Sequence, residues 1–141
     1  MKNKILLLLT TVLIISTTSC KKAVEQAKEE AVIGAITDGT WYVSRFVEGG
    51  VNITADFTGW EFQYFQNFTS IANKTGNAGI AGTWSGNATT FAFTASFNTT
   101  PPAPLNKLAS TWTVTRAVST TKGSYSRTES GVVYQMDLTK K

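Results

Sequence analysis

The side chains that could perform acid–base chemistry are six carboxylates in the second part of the chain. They are Asp38, Glu48, Asp56, Glu61, Glu129 and Asp137. Asp38 and Asp56 stand in turn contexts, where Asx turns explain them, and Glu61 and Glu129 fall on the polar sides of predicted strands. The 141 residues include no histidine and one cysteine, which excludes histidine-dependent nucleophiles, an internal disulfide and a multi-cysteine zinc site. We therefore predict a protein that is not an enzyme and that holds no cofactor and no metal.

The single cysteine, Cys20, follows an N-terminal segment with a secretory pattern. Lys2 and Lys4 precede an apolar run over 5–15, which as a helix would reach roughly 16 Å, about half of a hydrocarbon core. The run is therefore typical of a signal peptide rather than of a transmembrane anchor. Small hydroxylated residues over 16–19 lead to Cys20, and this pattern resembles a bacterial lipoprotein signal.

The resemblance implies that residues 1–19 are removed and that Cys20 becomes a new N-terminus carrying acyl chains such as palmitate. Two or three acyl chains hold a protein on a bilayer, whereas one gives only marginal binding. The membrane is thus the predicted partner. Lys21 follows Cys20, whereas an Asp at this position resembles an inner-membrane retention signal. The lysine therefore favours the outer membrane. Whether the domain faces the periplasm or the cell surface is left open.

Charge argues against nucleic acid as a partner. The formal charge of +4 falls to +2 without Lys2 and Lys4, and no basic stripe accompanies it. Residues 20–37 are rich in Ala, Glu, Lys and Gln, which predicts a short helical tether. A coiled-coil stem is the alternative, but barely two heptads with alanine in the seam favour a solvated stalk and a monomer.

Residues 38–141 are predicted to form one all-β domain, because every aromatic residue lies after position 40 and turn residues recur at short intervals. Eight strands are predicted, over 40–48, 60–65, 68–74, 80–85, 89–97, 110–118, 124–129 and 132–139. A bulge is expected near Ser44 and Arg45, because Trp41 and Phe46 break phase. One helical turn is expected over 105–108, at one end of the domain.

Hairpin-length connections favour an eight-stranded antiparallel up-and-down barrel, and a β-sandwich is the alternative. The segments 39–43, 56–62, 82–85, 105–108 and 112–114 are similar to a group of small lipocalin-like lipoproteins of Bacteroidota, and the likeness spans 38–141. The resemblance implies a lipocalin-like barrel and says little about activity, because its motifs belong to strands and turns.

Six aromatic residues are candidates for an apolar pocket, with a plain barrel core as the alternative. They are Trp60, Phe62, Tyr64, Phe91, Phe93 and Phe97. A structural cation–π contact is considered between Trp41 and Arg116, against the alternative of a surface arginine.

These observations predict a membrane-anchored cell-envelope lipoprotein that binds a small apolar or amphipathic ligand, or a protein partner, without catalysis. The alternatives are a β-sandwich adhesion or glycan-binding module with exposed tryptophans, and a structural envelope protein without a ligand.

Overall fold

The computed structural model describes residues 21–116 and 119–141. Residues 21–37 are helical and are called α1. The chain divides after Ala31, and Val32–Lys141 form one compact unit. Among the described residues, no helix combines the length and apolarity needed to span a bilayer.

In the part of the chain that the structure describes, nine strands follow α1, one more than predicted. They are β1 (Trp41–Glu48), β2 (Val51–Asn52), β3 (Trp60–Tyr64), β4 (Thr69–Lys74), β5 (Ile80–Asn87), β6 (Ala92–Phe97), β7 (Ser110–Arg116), β8 (Lys122–Glu129) and β9 (Val132–Lys140). Two 3-10 turns interrupt them, η1 (Thr54–Phe57) and η2 (Leu105–Lys107). The extra strand, β2, is two residues long and folds back on the end of β1 after a glycine pair.

The eight longer strands form a closed antiparallel barrel, which confirms the predicted fold and excludes the sandwich. Each strand from β3 to β8 pairs with the next along the chain, and β1 pairs with both β3 and β9. The closing seam runs from Trp41 opposite Lys140 to Glu48 opposite Tyr134. Closure leaves no edge strand among these eight, so their backbone groups pair within the barrel.

The predicted bulge lies in β1 and is confirmed. The register with β9 shifts between Val43 and Arg45, so Ser44 is the additional residue. The shift keeps Trp41, Val43 and Phe46 all buried, which strict alternation would not allow.

Aromatic side chains fill the barrel interior in two groups. Phe46 stacks on Phe57 at a centroid distance of 4.7 Å and meets Trp112 edge-on at 5.9 Å. The second group surrounds Phe93, whose ring lies 5.6 Å from that of Tyr64 and 5.3 Å from that of Tyr125. Such packing leaves little empty space in an eight-stranded barrel.

The two ends of the barrel are closed differently. At the end where β1 begins and β9 ends, called the helix end, the carbonyl of Ile36 in α1 accepts a hydrogen bond of 2.8 Å from the indole of Trp41. At the opposite end, η2 inserts Leu105, which is fully buried. The predicted helical turn near 105–108 is therefore confirmed.

Candidate functional site

An apolar cavity lies at the helix end of the barrel, between α1 and the β5–β6 hairpin. Its volume is about 150 Å³. The larger apolar and aromatic side chains that line it are Val32, Ile36, Phe91, Phe93, Val114 and Tyr125, and the β5–β6 hairpin adds Gly86, Asn87, Ala88 and Ala92. It is the candidate ligand site because it combines apolar walls with one buried hydroxyl-bearing side chain.

A missing side chain on β5 creates part of this cavity. Gly86 pairs with Phe93 across the hairpin and lines the space with its backbone. A Cβ built at Gly86 would meet only Trp84 Cζ3, at the ordinary contact distance of 3.7 Å. A larger side chain at this position would therefore extend into the cavity.

Two tyrosines place hydroxyl groups inside the apolar barrel. Tyr64 and Tyr125 are 6% and 3% exposed. Burial raises the pKa of both phenols far above the ordinary value, and for Tyr64 the nearby Tyr125 adds to the increase. Tyr125 lines the cavity whereas Tyr64 does not, so the Tyr125 hydroxyl is the one that could bond a polar atom of a ligand there.

Gly123 leaves room for the Tyr125 ring. A Cβ on Gly123 would come within 2.4 Å of the Tyr125 hydroxyl oxygen, a distance no real side chain tolerates. The ring therefore folds back along β8 over the glycine, at the inner wall of the helix end.

The six predicted aromatic residues do not share one pocket. Trp60, Phe62, Tyr64 and Phe93 are buried in the core, and Phe97 is partly buried against it. Phe91 differs: it is 64% exposed, has a φ of +52° and precedes β6 rather than belonging to it. Phe91 nevertheless lines the apolar cavity together with Phe93, and the strand predicted from residue 89 begins three residues later, at Ala92.

The cation over Trp41 is not the predicted one. The Lys140 ammonium lies 5.3 Å from the Trp41 ring, because β9 pairs directly with β1 at this position. Arg116 is exposed at the end of β7, which is separated from β1 by β8 and β9. Together with Arg45 and Lys122, Arg116 borders a polar groove of about 450 Å³ on the outer wall of the barrel.

A cation–π contact of an arginine, Arg127, lies at the opposite end and was missed by the sequence reasoning. The Arg127 guanidinium stacks 3.9 Å from the Tyr134 ring and 5.0 Å from the Trp112 ring. It also donates to the Lys107 carbonyl at 3.3 Å, which ties β8 to η2. Its position two residues after inward-facing Tyr125 was the available signal.

The predicted carboxylates lie apart, and five of the six form ion pairs with separate cations. The pairs are Asp38–Lys140, Glu48–Lys107, Glu61–Lys141, Glu129–Arg127 and Asp137–Lys122. A hydrogen bond from Lys107 is the main cause that lowers the pKa of Glu48. Within the described ranges, no three metal-ligating side chains cluster. Cys20 lies outside these ranges.

The fold and the site define a closed antiparallel β-barrel with a filled interior and a small apolar cavity beneath its N-terminal helix. The barrel is similar to the crystal structure of a DUF4847 family protein from Bacteroides vulgatus, with a TM-score of 0.52 over 74% of this chain and 95% of that chain. The sequence identity is 15%, so the likeness concerns the fold alone. No protein-family model matches the sequence, and no curated protein is significantly similar to it.

Proposed function

We propose that the protein is an outer-membrane lipoprotein, anchored through acylated Cys20, whose barrel binds a small apolar group without catalysis. The observation that carries the binding proposal is the cavity of about 150 Å³ beside Phe93 and Tyr125. Full ligand pockets for drug-sized molecules are about 300–1,000 Å³. The cavity therefore suits one ring or the end of a short alkyl chain, since apolar cavities of about 150 Å³ accept benzene.

The Tyr125 hydroxyl gives the proposed site a polar preference. A buried phenol gains from a hydrogen bond, roughly 0.5–1.5 kcal/mol for a neutral pair. A neutral acceptor suits this position better than a carboxylate, because an unpaired charge in an apolar cavity is costly. The proposed ligand is thus amphipathic, with an apolar group in the cavity and an uncharged oxygen within reach of Tyr125.

The absence of catalysis is proposed from the arrangement of the carboxylates. Five carboxylates lie in separate ion pairs, whereas general acid–base catalysis needs groups that converge on one reacting atom. Turnover by the purified protein that disappears with Glu61→Gln or Asp137→Asn would contradict the proposal.

The binding experiment uses two valine substitutions on neighbouring residues of β5. Gly86→Val extends into the cavity, and Ser85→Val adds the same side chain to the exposed outer face. With toluene and octanol as probes, Gly86→Val is expected to weaken binding at least about tenfold, equivalent to ~1.4 kcal/mol. Ser85→Val is expected to bind like the wild type in calorimetric titration.

Native mass spectrometry of protein extracted from its own host provides a second measure. A small molecule that accompanies the wild type and Ser85→Val but not Gly86→Val supports the cavity as the site. Equal binding of both probes to all three proteins would overturn the proposed site, and no binding to any of them would favour a structural protein without a ligand.

The anchoring experiment compares substitutions at adjacent positions of the leader. Cys20→Ser is expected to lose incorporation of labelled palmitate and to leave the detergent phase. Ser19→Ala keeps a small residue before the cysteine and is expected to retain both. Equal palmitate incorporation by Cys20→Ser would show that the anchor lies elsewhere.

A further inference from the structure

We propose that the helix end of the barrel docks on the bilayer surface through three phenylalanines at its hairpin tips. The residues are Phe65 and Phe68, between β3 and β4, and Phe91, between β5 and β6. This inference rests on the proposed anchoring through Cys20 and concerns a surface that the anchoring alone does not require.

The three side chains are exposed although the barrel has a large apolar core. Phe65, Phe68 and Phe91 are 43%, 46% and 64% exposed. They lie on neighbouring hairpins at one end, because β4 and β6 both begin there and flank the end of β5. Exposed aromatic side chains that share one end of a protein are typical of a contact with a membrane or with another protein.

The backbone conformation at two of these three positions, Phe68 and Phe91, is unfavourable for phenylalanine. Among the described residues, three that are not glycine have a positive φ: Phe68 at +63°, Phe91 at +52° and Ser130 at +50°. Glycine and asparagine adopt this conformation most readily. Phenylalanine there costs backbone energy, and at Phe91 little burial offsets that cost. Phe91 lines the cavity, yet most of its side chain stays exposed to solvent, which lining the cavity alone does not require.

The tips are held in place rather than free to retract. The Asn67 side-chain oxygen accepts a 3.2 Å hydrogen bond from the Thr69 amide, and that of Asn87 accepts one of 2.9 Å from the Thr89 amide. The carbonyls of Phe68 and Phe91 accept hydrogen bonds from the adjoining strands, from Trp84 N at 3.0 Å and Val114 N at 2.7 Å. These hydrogen bonds hold the backbone of both tips, and the Phe68 ring also lies 5.5 Å from the Trp84 ring.

The position of the chain selects the bilayer as the occupant. The compact unit begins at Val32, and the Trp41–Ile36 hydrogen bond brings the chain into the barrel at this same end. Eleven residues, 21–31, separate the unit from Cys20, a span of at most roughly 40 Å when fully extended. An anchor at Cys20 would thus hold the helix end close to the lipid surface, where even weak apolar contacts form readily.

Positive charge at the helix end is expected to contribute less to docking on the bilayer than the phenylalanines do. Lys122, Lys140 and Lys141 each form an ion pair with an acid, and Arg116 is exposed nearby. The small excess of positive charge is compatible with anionic lipid. Docking through phenylalanine should depend only weakly on salt.

The experiment places one fluorescent label at the tips of the full-length lipoprotein in vesicles of phosphatidylethanolamine and phosphatidylglycerol in equal parts. Phe68→Cys and Phe91→Cys each introduce a labelling site, and Val51→Cys is the matched control, since Val51 is 63% exposed and lies at the opposite end. Labels at 68 and 91 are expected to shift their emission to shorter wavelength and to be quenched by nitroxide lipids. The label at 51 is expected to do neither.

Three results would overturn or redirect the proposal in distinguishable ways. Equal exposure of all three labels would overturn docking while leaving the anchor intact. Shielding at 68 and 91 that grows with protein density on the vesicles would show contact with a second copy instead of lipid, and docking would be wrong. Labelling of the wild-type chain would reveal a free Cys20 thiol and overturn the anchor. If the anchor is overturned in this way, the labels at 68 and 91 are measured again in a Cys20→Ser background. Loss of their shielding by vesicles in that background would overturn docking as well.

Discussion

Tyr64 and Tyr125 carry the two hydroxyl groups inside the aromatic core near the helix end. Each lies close to the Phe93 ring, and burial opposes the charged form of both. Their folded pKa values therefore lie above the ordinary value of about 10. A raised folded pKa means that stability is fully present below about pH 10 and is lost as the pH rises above it.

We predict that tyrosinate absorbance from these two residues develops only as the barrel unfolds at alkaline pH. Tyr125→Phe and Tyr64→Phe keep the ring and remove the group that ionises, so each should shift the alkaline unfolding midpoint to higher pH. Spectrophotometric titration together with circular dichroism measures both events. Ionisation of all tyrosines in the folded protein would contradict the prediction.

Phe91 provides a second prediction at the scale of one residue. Phe91→Asn should leave the free energy of unfolding unchanged or raise it by up to about 1 kcal/mol, because asparagine tolerates positive φ better. Phe93→Ala, two residues along the chain, should cost about 3–5 kcal/mol, because Phe93 is buried. Urea unfolding of both variants measures the difference, and a large loss of stability in Phe91→Asn would be inconsistent with an exposed tip.

Single residues were predicted less well than strands. Alternation correctly placed Trp60, Phe62 and Tyr64 inside, because regular pairing continues along the whole of β3. It did not reveal that Phe91 precedes β6 and has a positive φ. The predicted cation–π partner of Trp41, Arg116, was wrong for a different reason. Lys140 lies over Trp41 because closure of the barrel pairs β9 with β1. The residue pattern of a single strand carries no information about that pairing.

At the scale of elements, the last turns of α1 close one side of the cavity. Ile36 is 4% exposed and lines the cavity with Val32. Its carbonyl also accepts the Trp41 hydrogen bond. The end of this helix is thus part of the barrel core and not only a connection to it.

We predict that Ile36→Ala destabilises the barrel by about 2–5 kcal/mol and enlarges the cavity. The variant should then bind longer alkyl probes than the wild type. Val24→Ala is the matched control in α1, because Val24 is 55% exposed and its truncation should change stability by less than about 0.5 kcal/mol. Thermal unfolding and probe titration test both effects, and equal stability of the two variants would mean that α1 does not seal this end.

Most elements were predicted because their signals are local. Turn residues bounded the strands within a few positions, and the phase break in β1 indicated its bulge. The two-residue β2 and the turn η1 escaped because neither has a periodic apolar pattern. The cavity was also not predictable, since it depends on Gly86 of β5 meeting Ile36 of α1, two positions that no sequence pattern relates.

At the scale of the whole molecule, closure joins residues that are far apart in the sequence. β9 forms the seam with β1 and places Met136 and Leu138 in the core. Meander connections predicted this closure, because they favour each strand pairing with the next and leave only the first and last to meet.

We predict that removal of residues 136–141 abolishes cooperative unfolding, because it opens the seam and removes two buried side chains. Removal of Lys141 alone should cost less than about 1 kcal/mol, since its ion pair with Glu61 is exposed. Denaturant unfolding followed by tryptophan fluorescence measures both, and all four tryptophans are buried reporters. A cooperative transition in the longer truncation would mean that the seam is dispensable.

Both termini of the barrel leave at the helix end, where the Lys141 amide donates to the Thr40 carbonyl at 2.8 Å. This proximity permits a circular permutant in which a linker joins residue 141 to residue 32, so that Val32 and Ile36 stay in the barrel, and the chain is reopened at Gly131. A leader ending in the lipid-bearing cysteine, fused at the new start, would then carry the same barrel upside down. Such an inverted molecule would separate the effect of orientation from that of attachment, a distinction that no point substitution can make.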